Sequence, residues 1–323
     1  MSQKTQLIPF PKTNHKFKNG FTLIELSIVL VIIGLLVGGI MVGKDLINAA
    51  AIRSQISQIE QYNTAANTFK LKYGGLPGDI PEPHASGFGF ATRGQYAGQG
   101  DGNGVLEGVS SNSAGVNSGQ LVLGGETGMF WVDLSNAQLI EGAFISSVTP
   151  TSAGFIATSR IPTVMPYAKI GNSNFVFVWS GGWMGYSGSS DRKNYFGISA
   201  AISTGGISST GHHYFEPMLT VNQAYIIDSK IDDGLPQSGK VMAIAAYNAT
   251  AYWAKGNRGP LQGNLGAFSW PSNPGGPTTA ATPASAITCY DNGNVNGTTQ
   301  KYSLGSITGG GANINCWLSV QFQ

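Results

Sequence analysis

One carboxylate, Glu25, stands at the head of an apolar run from Leu26 to Gly43, and the next charged residue is Lys44. Such a run is about the length needed to cross roughly 30 Å of hydrocarbon as a helix. A carboxylate at the head of a span costs at least about 2.5–3.5 kcal/mol unless it finds a partner. Before it comes Lys18-Asn19-Gly20-Phe21-Thr22-Leu23-Ile24: a basic segment closed by a glycine, then an aromatic residue four positions ahead of the acid. Glu25 is the residue whose placement has to be explained.

Other stretches carry the residue types of binding or catalysis. In Asp101-Gly-Asn103-Gly-Val105-Leu-Glu107, oxygen-bearing side chains alternate with glycine as in the first half of a calcium loop. The pattern is incomplete, with Val105 at the fifth position and Asn112 at the twelfth, and a plain Asn/Gly turn is the alternative. His212 and His213 could supply two metal ligands, but zinc wants three or four, and the other histidine beyond residue 20 is His84. A surface turn fits that pair better. Gly234-Leu-Pro-Gln-Ser-Gly239-Lys240 approaches a phosphate loop, yet Val241 stands where Ser or Thr must hold magnesium, and a helical pattern precedes it. Asp232 and Asp233 read as the cap of that helix and its following turn. No Gly-x-Ser-x-Gly elbow occurs, so the sequence offers an enzyme no constellation.

The chain has 323 residues, room for one large domain or two modest ones. Charged residues make up only 11% and glycines number 46, which excludes a solvated polyelectrolyte tail. The formal charge of +2 conceals a split, because Lys4, Lys12, Lys16 and Lys18 all precede residue 21. Without them 14 basic residues face 16 acidic ones, a balance of −2 that argues against nucleic-acid binding through bulk charge.

Residues 18–26 resemble the class III signal of type IV prepilins and type II secretion pseudopilins, and Phe21-Thr22-Leu23-Ile24-Glu25-Leu26 matches that family's head motif residue by residue. The resemblance implies a leader, 1–20, that a prepilin peptidase cuts after Gly20, with N-methylation of the new terminus on Phe21. It implies assembly through Thr22, Leu23, Ile24 and Glu25, the Glu25 carboxylate pairing with an ammonium of its own or a neighbouring subunit. The implied partners are other pilin or pseudopilin subunits, the peptidase, an inner-membrane assembly platform and membrane lipid. The positive leader places the amino terminus on the cytoplasmic side, so the remainder would lie outside the inner membrane as part of a periplasmic or extracellular filament. An ordinary signal peptide cut after Ala49-Ala50-Ala51 fits less well, since Lys44 and Asp45 intervene. A simple anchor would not place Glu25 so near the head of its span. In an oxidising compartment Cys289 and Cys316 most simply form one disulfide, two buried thiols being the alternative. Pilins commonly close a carboxyl-terminal loop in this way, and several stiffen a loop with calcium, which bears on Asp101, Asn103 and Glu107. The family reading leaves two roles: a structural subunit of a pilus or pseudopilus, or a minor tip-located module that binds a surface or cargo.

The elements that position these groups follow from periodicity. Ile52, Ile56, Ile59, Tyr62, Ala66, Phe69 and Tyr73 recur at helical spacing, which predicts one helix from Phe21 to Tyr73, roughly 80 Å at 1.5 Å per residue. Its first half, 21–43, is apolar all round; its second carries a stripe that docks on its own domain. Gly34, Gly38, Gly39 and Gly43 allow close approach of neighbouring helices and weaken this one. A second helix is expected from Glu126 to Ile140, stopped by Gly142, and a third is opened by a capping box of Thr220 with Gln223. Strands are expected at 174–180, 195–203, 240–247 and 314–322, with loop at 256–312. The fold class is α+β, a long helix on an antiparallel sheet, with residues 74–323 forming the head domain.

Overall fold

The computed structural model describes residues 22–96, 98–109, 117–118, 124–144, 158–171, 174–181, 192–203, 214–247, 250–254 and 279–322. The helices are α1 (Leu23–Tyr73), the single turn α2 (His84–Gly87), α3 (Gly125–Asn136) and α4 (Val221–Ile231). The strands are β1 (Gly108–Val109), β2 (Asn117–Ser118), β3 (Asn174–Ser180), β4 (Asn194–Ser203), β5 (Tyr214–Glu216), β6 (Leu219–Thr220), β7 (Val241–Met242), β8 (Ile244–Tyr247), β9 (Thr250–Trp253), β10 (Tyr290–Asp291), β11 (Lys301–Tyr302), β12 (Ile314–Cys316) and β13 (Leu318–Gln321). The fold is α+β. Two compact units divide at Ala49 and Ala50.

In the first unit the described residues are helical after Thr22, and every large apolar side chain from Leu23 to Ile47 is at least half exposed. Cβ atoms added at Gly34, Gly38, Gly39 or Gly43 would meet nothing within 4 Å.

In the second unit α1 buries Ile52, Ile59, Ala66 and Phe69 in the same core as the sheet. That sheet runs β3-β4-β13-β7, antiparallel throughout, with β5 on β4. Val176 and Leu318 both oppose Ile198, and Val320 opposes Phe196. Gly197 interrupts the large residues of β4 because a Cβ there would lie 2.3 Å from the ring of Phe177 on the neighbouring strand. Two glutamines fasten α1 to the loop before β3: Lys169 N–H donates to Gln55 Oε1 (2.7 Å) and Gln58 Oε1 (3.1 Å), and Gln58 Nε2 donates to the Tyr167 carbonyl (2.8 Å).

Several element boundaries differ from those expected. α3 ends at Asn136 rather than Ile140, because Gln138 adopts φ 59° and Leu139 N–H reaches back to the Leu134 carbonyl, a left-handed helix stop made without glycine. The expected strand 240–247 divides at Ala243, whose N–H goes to Pro236 while β7 pairs with β13 and β8 with β9. Strand 314–322 likewise breaks at Trp317, where the backbone passes from β6 to the main sheet. Within the expected loop 256–312, β10 and β11 pair and Ser306–Gly311 forms a 3-10 turn. The Thr220 capping box is present and opens α4.

A buried ion pair clips the turn after α1 to α3. Arg93 Nη2 lies 2.5 Å from Asp133 Oδ2, both side chains fully buried, and Gly78 N–H donates to the same oxygen at 2.6 Å. Arg93 Nε also donates to the Ile80 carbonyl. Arg93→Met should leave Asp133 buried without its cation, costing about 3–5 kcal/mol in urea unfolding, while Arg93→Met with Asp133→Leu should recover most of that loss. An unchanged midpoint in Arg93→Met would show that the pair does not hold this turn.

Candidate functional site

The head of α1 carries its own cap. Thr22 is the last residue before the helix, and its N–H and Oγ1 donate to Glu25 Oε2 at 2.8 and 2.9 Å, while Glu25 N–H donates back to Thr22 Oγ1 at 3.3 Å. This is the reciprocal Thr-x-x-Glu box that satisfies free amides at a helix start. The acid is thus given a partner within its own chain. Leu23 (92% exposed) and Ile24 (68%) precede it on the surface of the helix. Gly20 and Phe21 lie outside the described residues.

Asp101, Asn103 and Glu107 are linked through the Asn103 side-chain amide, and Asp79, Asp101 and Glu126 also converge, each offering an oxygen within 4.8 Å of the others. Asn103 serves the turn: its Nδ2 donates to Asp101 Oδ2 (3.0 Å) and Glu107 Oε2 (3.4 Å), and its Oδ1 accepts from Val105 N–H (2.7 Å). Gly100, Gly102 and Gly104, all at positive φ, turn their amides inward. Gly102 and Gly104 donate to the two oxygens of Asp79 (both 2.9 Å), and Gly100 donates to Glu126 Oε1 (2.9 Å). Glu126 Oε2 accepts from Glu107 N–H (2.9 Å). Burial pushes the Asp79 carboxyl up to about 7, and the nearby Asp101 carboxylate adds to the rise. Glu126, wholly buried, lies well above the ordinary range, first through burial and then through Asp79 and Asp101. Oxygens bound to one calcium at about 2.3–2.6 Å can be up to about 5 Å apart, so the three carboxylates fit a hard cation. Asp79 and Glu126 escaped the sequence reading because they are remote from Asp101 along the chain; the signal present was an acid in the Pro77-Gly78-Asp79 turn and another in the first turn of α3.

A second acidic group, Asp228, Asp232 and Asp233, converges in the same way, and its oxygens, like those of Asp79 and Glu126, accept hydrogen bonds from the fold. Asp228 accepts from Gly234 N–H (3.0 Å) and the Tyr302 hydroxyl (2.8 Å); Asp233 accepts from Leu235 N–H (2.8 Å) and the Ser238 hydroxyl (2.6 Å). Asp232 accepts from the N–H groups of Lys240 and Val241. The amides of the 234–241 turn that would cradle a phosphate are therefore turned onto carboxylates. His84 is exposed on α2, and His212 and His213 lie outside the described residues. A groove of about 270 Å³ between α1, α4 and the end of β13 is lined by Glu60, Lys230 and Lys240 together with Ile59, Ile231 and Phe322. Cys289 and Cys316 form a buried disulfide, Cα atoms 5.1 Å apart.

Burial pushes the Asp228 carboxyl from 3.8 up to about 7. A raised folded-state value gives stability that is present below the unfolded value and is lost as pH rises through the folded one. The melting temperature should therefore fall between about pH 4 and pH 7, and Asp228→Asn should flatten part of that fall. A thermal unfolding series with the same slope in both proteins would contradict this role for Asp228.

Among family profiles, the prokaryotic N-terminal methylation motif matches residues 15–41, a span that includes Gly20, Phe21 and Glu25. No curated protein and no solved structure matches the chain. Within the described residues α1 is long and apolar enough to cross a membrane by length and composition, which fits membrane anchoring. A methylation motif, a capped acid at the head of an apolar helix and an α+β domain with a closed carboxyl-terminal loop thus occur in one chain, and residues 15–41 carry the prokaryotic N-terminal methylation motif, a prepilin-type signal.

Proposed function

We propose that this protein is a filament subunit, cut after Gly20, N-methylated on Phe21 and polymerised through the first half of α1. The observation that carries the proposal is the methylation signal set directly on a helix whose large apolar side chains are all at least half exposed up to Ile47. Each such side chain gains about 1.5–3 kcal/mol on full burial, so this surface requires lipid or other helices of its kind. Cleavage would leave an ammonium on Phe21, one helical turn from Glu25 and at the positive end of the helix dipole. Glu25 is held by Thr22 in the single subunit and exchanges that partner for a neighbour's ammonium on assembly. Burial of the charge is thereby tied to polymerisation. The basic leader keeps the amino terminus cytoplasmic, and the disulfide suits a head in an oxidising compartment.

The second role, a scarce tip-located subunit binding a surface or a secreted cargo, is favoured by the size of the unit from Ala50 to Gln323. Abundance separates the two, since a major subunit dominates sheared filaments. Calcium is part of the same proposal, held by Asp79, Asp101 and Glu126, where it would neutralise converging carboxylates and stiffen the loop before α3.

Gly20→Ala should accumulate as uncut precursor, and Glu25→Ala should be cut normally yet enter filaments poorly, both read by immunoblots of membrane and sheared fractions. Wild-type incorporation of Glu25→Ala would contradict the pairing mechanism. Calcium added to chelator-treated protein should raise its melting temperature, by about 2.7 kcal/mol of stability at a hundredfold excess over the dissociation constant. Asp79→Asn and Glu126→Gln should not respond, and an equal response in these variants would place the ion elsewhere.

A further inference from the structure

Three Asn-Gly pairs follow the leader: Asn103-Gly104, Asn292-Gly293 and Asn296-Gly297. The glycine amide nitrogen of such a pair can attack the asparagine Cγ. A new bond from that nitrogen to Cγ closes a succinimide ring, the Cγ–Nδ2 bond breaks and ammonia leaves. Water then opens the ring at either carbonyl, giving aspartate or isoaspartate. Glycine favours the reaction because no Cβ hinders the approach. We infer that, of these three asparagines, Asn296 is the one that deamidates first, spontaneously and in the folded state.

The three pairs differ in what must be given up. At Asn103 the side-chain nitrogen is held by two carboxylates and its oxygen by Val105 N–H, while Gly104 N–H donates to the buried Asp79. At Asn292 the side-chain nitrogen donates to the carbonyls of Ala280 (3.0 Å), Thr298 (3.1 Å) and Thr279 (3.5 Å). Its oxygen accepts from Thr282 N–H (2.8 Å), and Gly293 N–H is held by Asp291. Asn296 is exposed, and its side chain makes no hydrogen bond among the described residues. Only Gly297 N–H is tied, to the Thr279 carbonyl at 2.8 Å. Gly297 has φ 83°, and a Cβ there would meet nothing within 4 Å, so no neighbouring group crowds that side of the glycine.

Hydrogen bonds of about 1 kcal/mol each translate into roughly fivefold in rate apiece, so Asn296 should react on the order of tenfold or more ahead of the others. Asn296 sits inside the loop closed by Cys289 and Cys316, where the bonds of Asn292 are left intact. The product is therefore a folded protein with one added negative charge. The test is fragment-resolved peptide mapping of protein held in mildly alkaline buffer, native or denatured and reduced. Expected are early aspartate and isoaspartate at 296 in the native sample, comparable conversion at all three in the denatured one, and loss of the early acidic species in Asn296→Gln. Earlier conversion at 103 or 292, equal native rates, or an unreactive native Asn296 would overturn the inference.

Discussion

The second unit rests on one contact, the apolar stripe of α1 against the sheet and α3. Ile52, Ile59, Ala66 and Phe69 share a core with Phe177, Phe196, Trp131 and Val320. Tyr62 packs edge-on to Trp131 with ring centroids 4.9 Å apart. Remove that contact and the turn carrying Asp79, the Gln55–Gln58 fastening and the edge of β3 lose their positions together. The stripe also explains why one helix serves two surroundings. A 3.6-residue period of apolar side chains makes a face, whereas an unbroken apolar run makes a cylinder with no inside. Up to Ile47 α1 is a cylinder, and from Ile52 it is a face.

A second regularity is the use of acids as organisers of backbone. Asp79 and Glu126 hold the amides of the 100–107 loop, and Asp228, Asp232 and Asp233 hold those of 234–241. A buried carboxylate accepting two amides makes bonds stronger than neutral ones, but its charge must still be offset. Around Asp133 Arg93 offsets it; at Asp228, Asp79 and Glu126 a raised proton affinity does. A protein with few charged residues thus spends several of its acids indoors, which bulk composition could not disclose.

Much of the frame was legible in the sequence because it rests on periodicity and local chemistry: α1, the Thr220 cap, β3 and the Cys289–Cys316 pair all follow from neighbours within a few residues or from a simple count. What escaped depends on distant partners. Asp79 and Glu126, which converge on Asp101, come from the turn after α1 and the first turn of α3. The continuous apolar runs at 240–247 and 314–322 hid their breaks, since Ala243 and Trp317 look like strand residues and are displaced only by a change of pairing partner. The stop at Gln138 was hidden because left-handed geometry there is imposed on a residue that does not advertise it.

The most direct measurement is intact mass and amino-terminal analysis of the protein recovered from cells that make a prepilin peptidase. A product beginning at N-methylated Phe21 is the predicted result and would tie the methylation signal, Glu25 and the exposed helix to one assembly pathway. A product beginning near Ile52, or one left uncut, would contradict it, and the role of the protein would then have to be found in the domain from Ala50 onward alone.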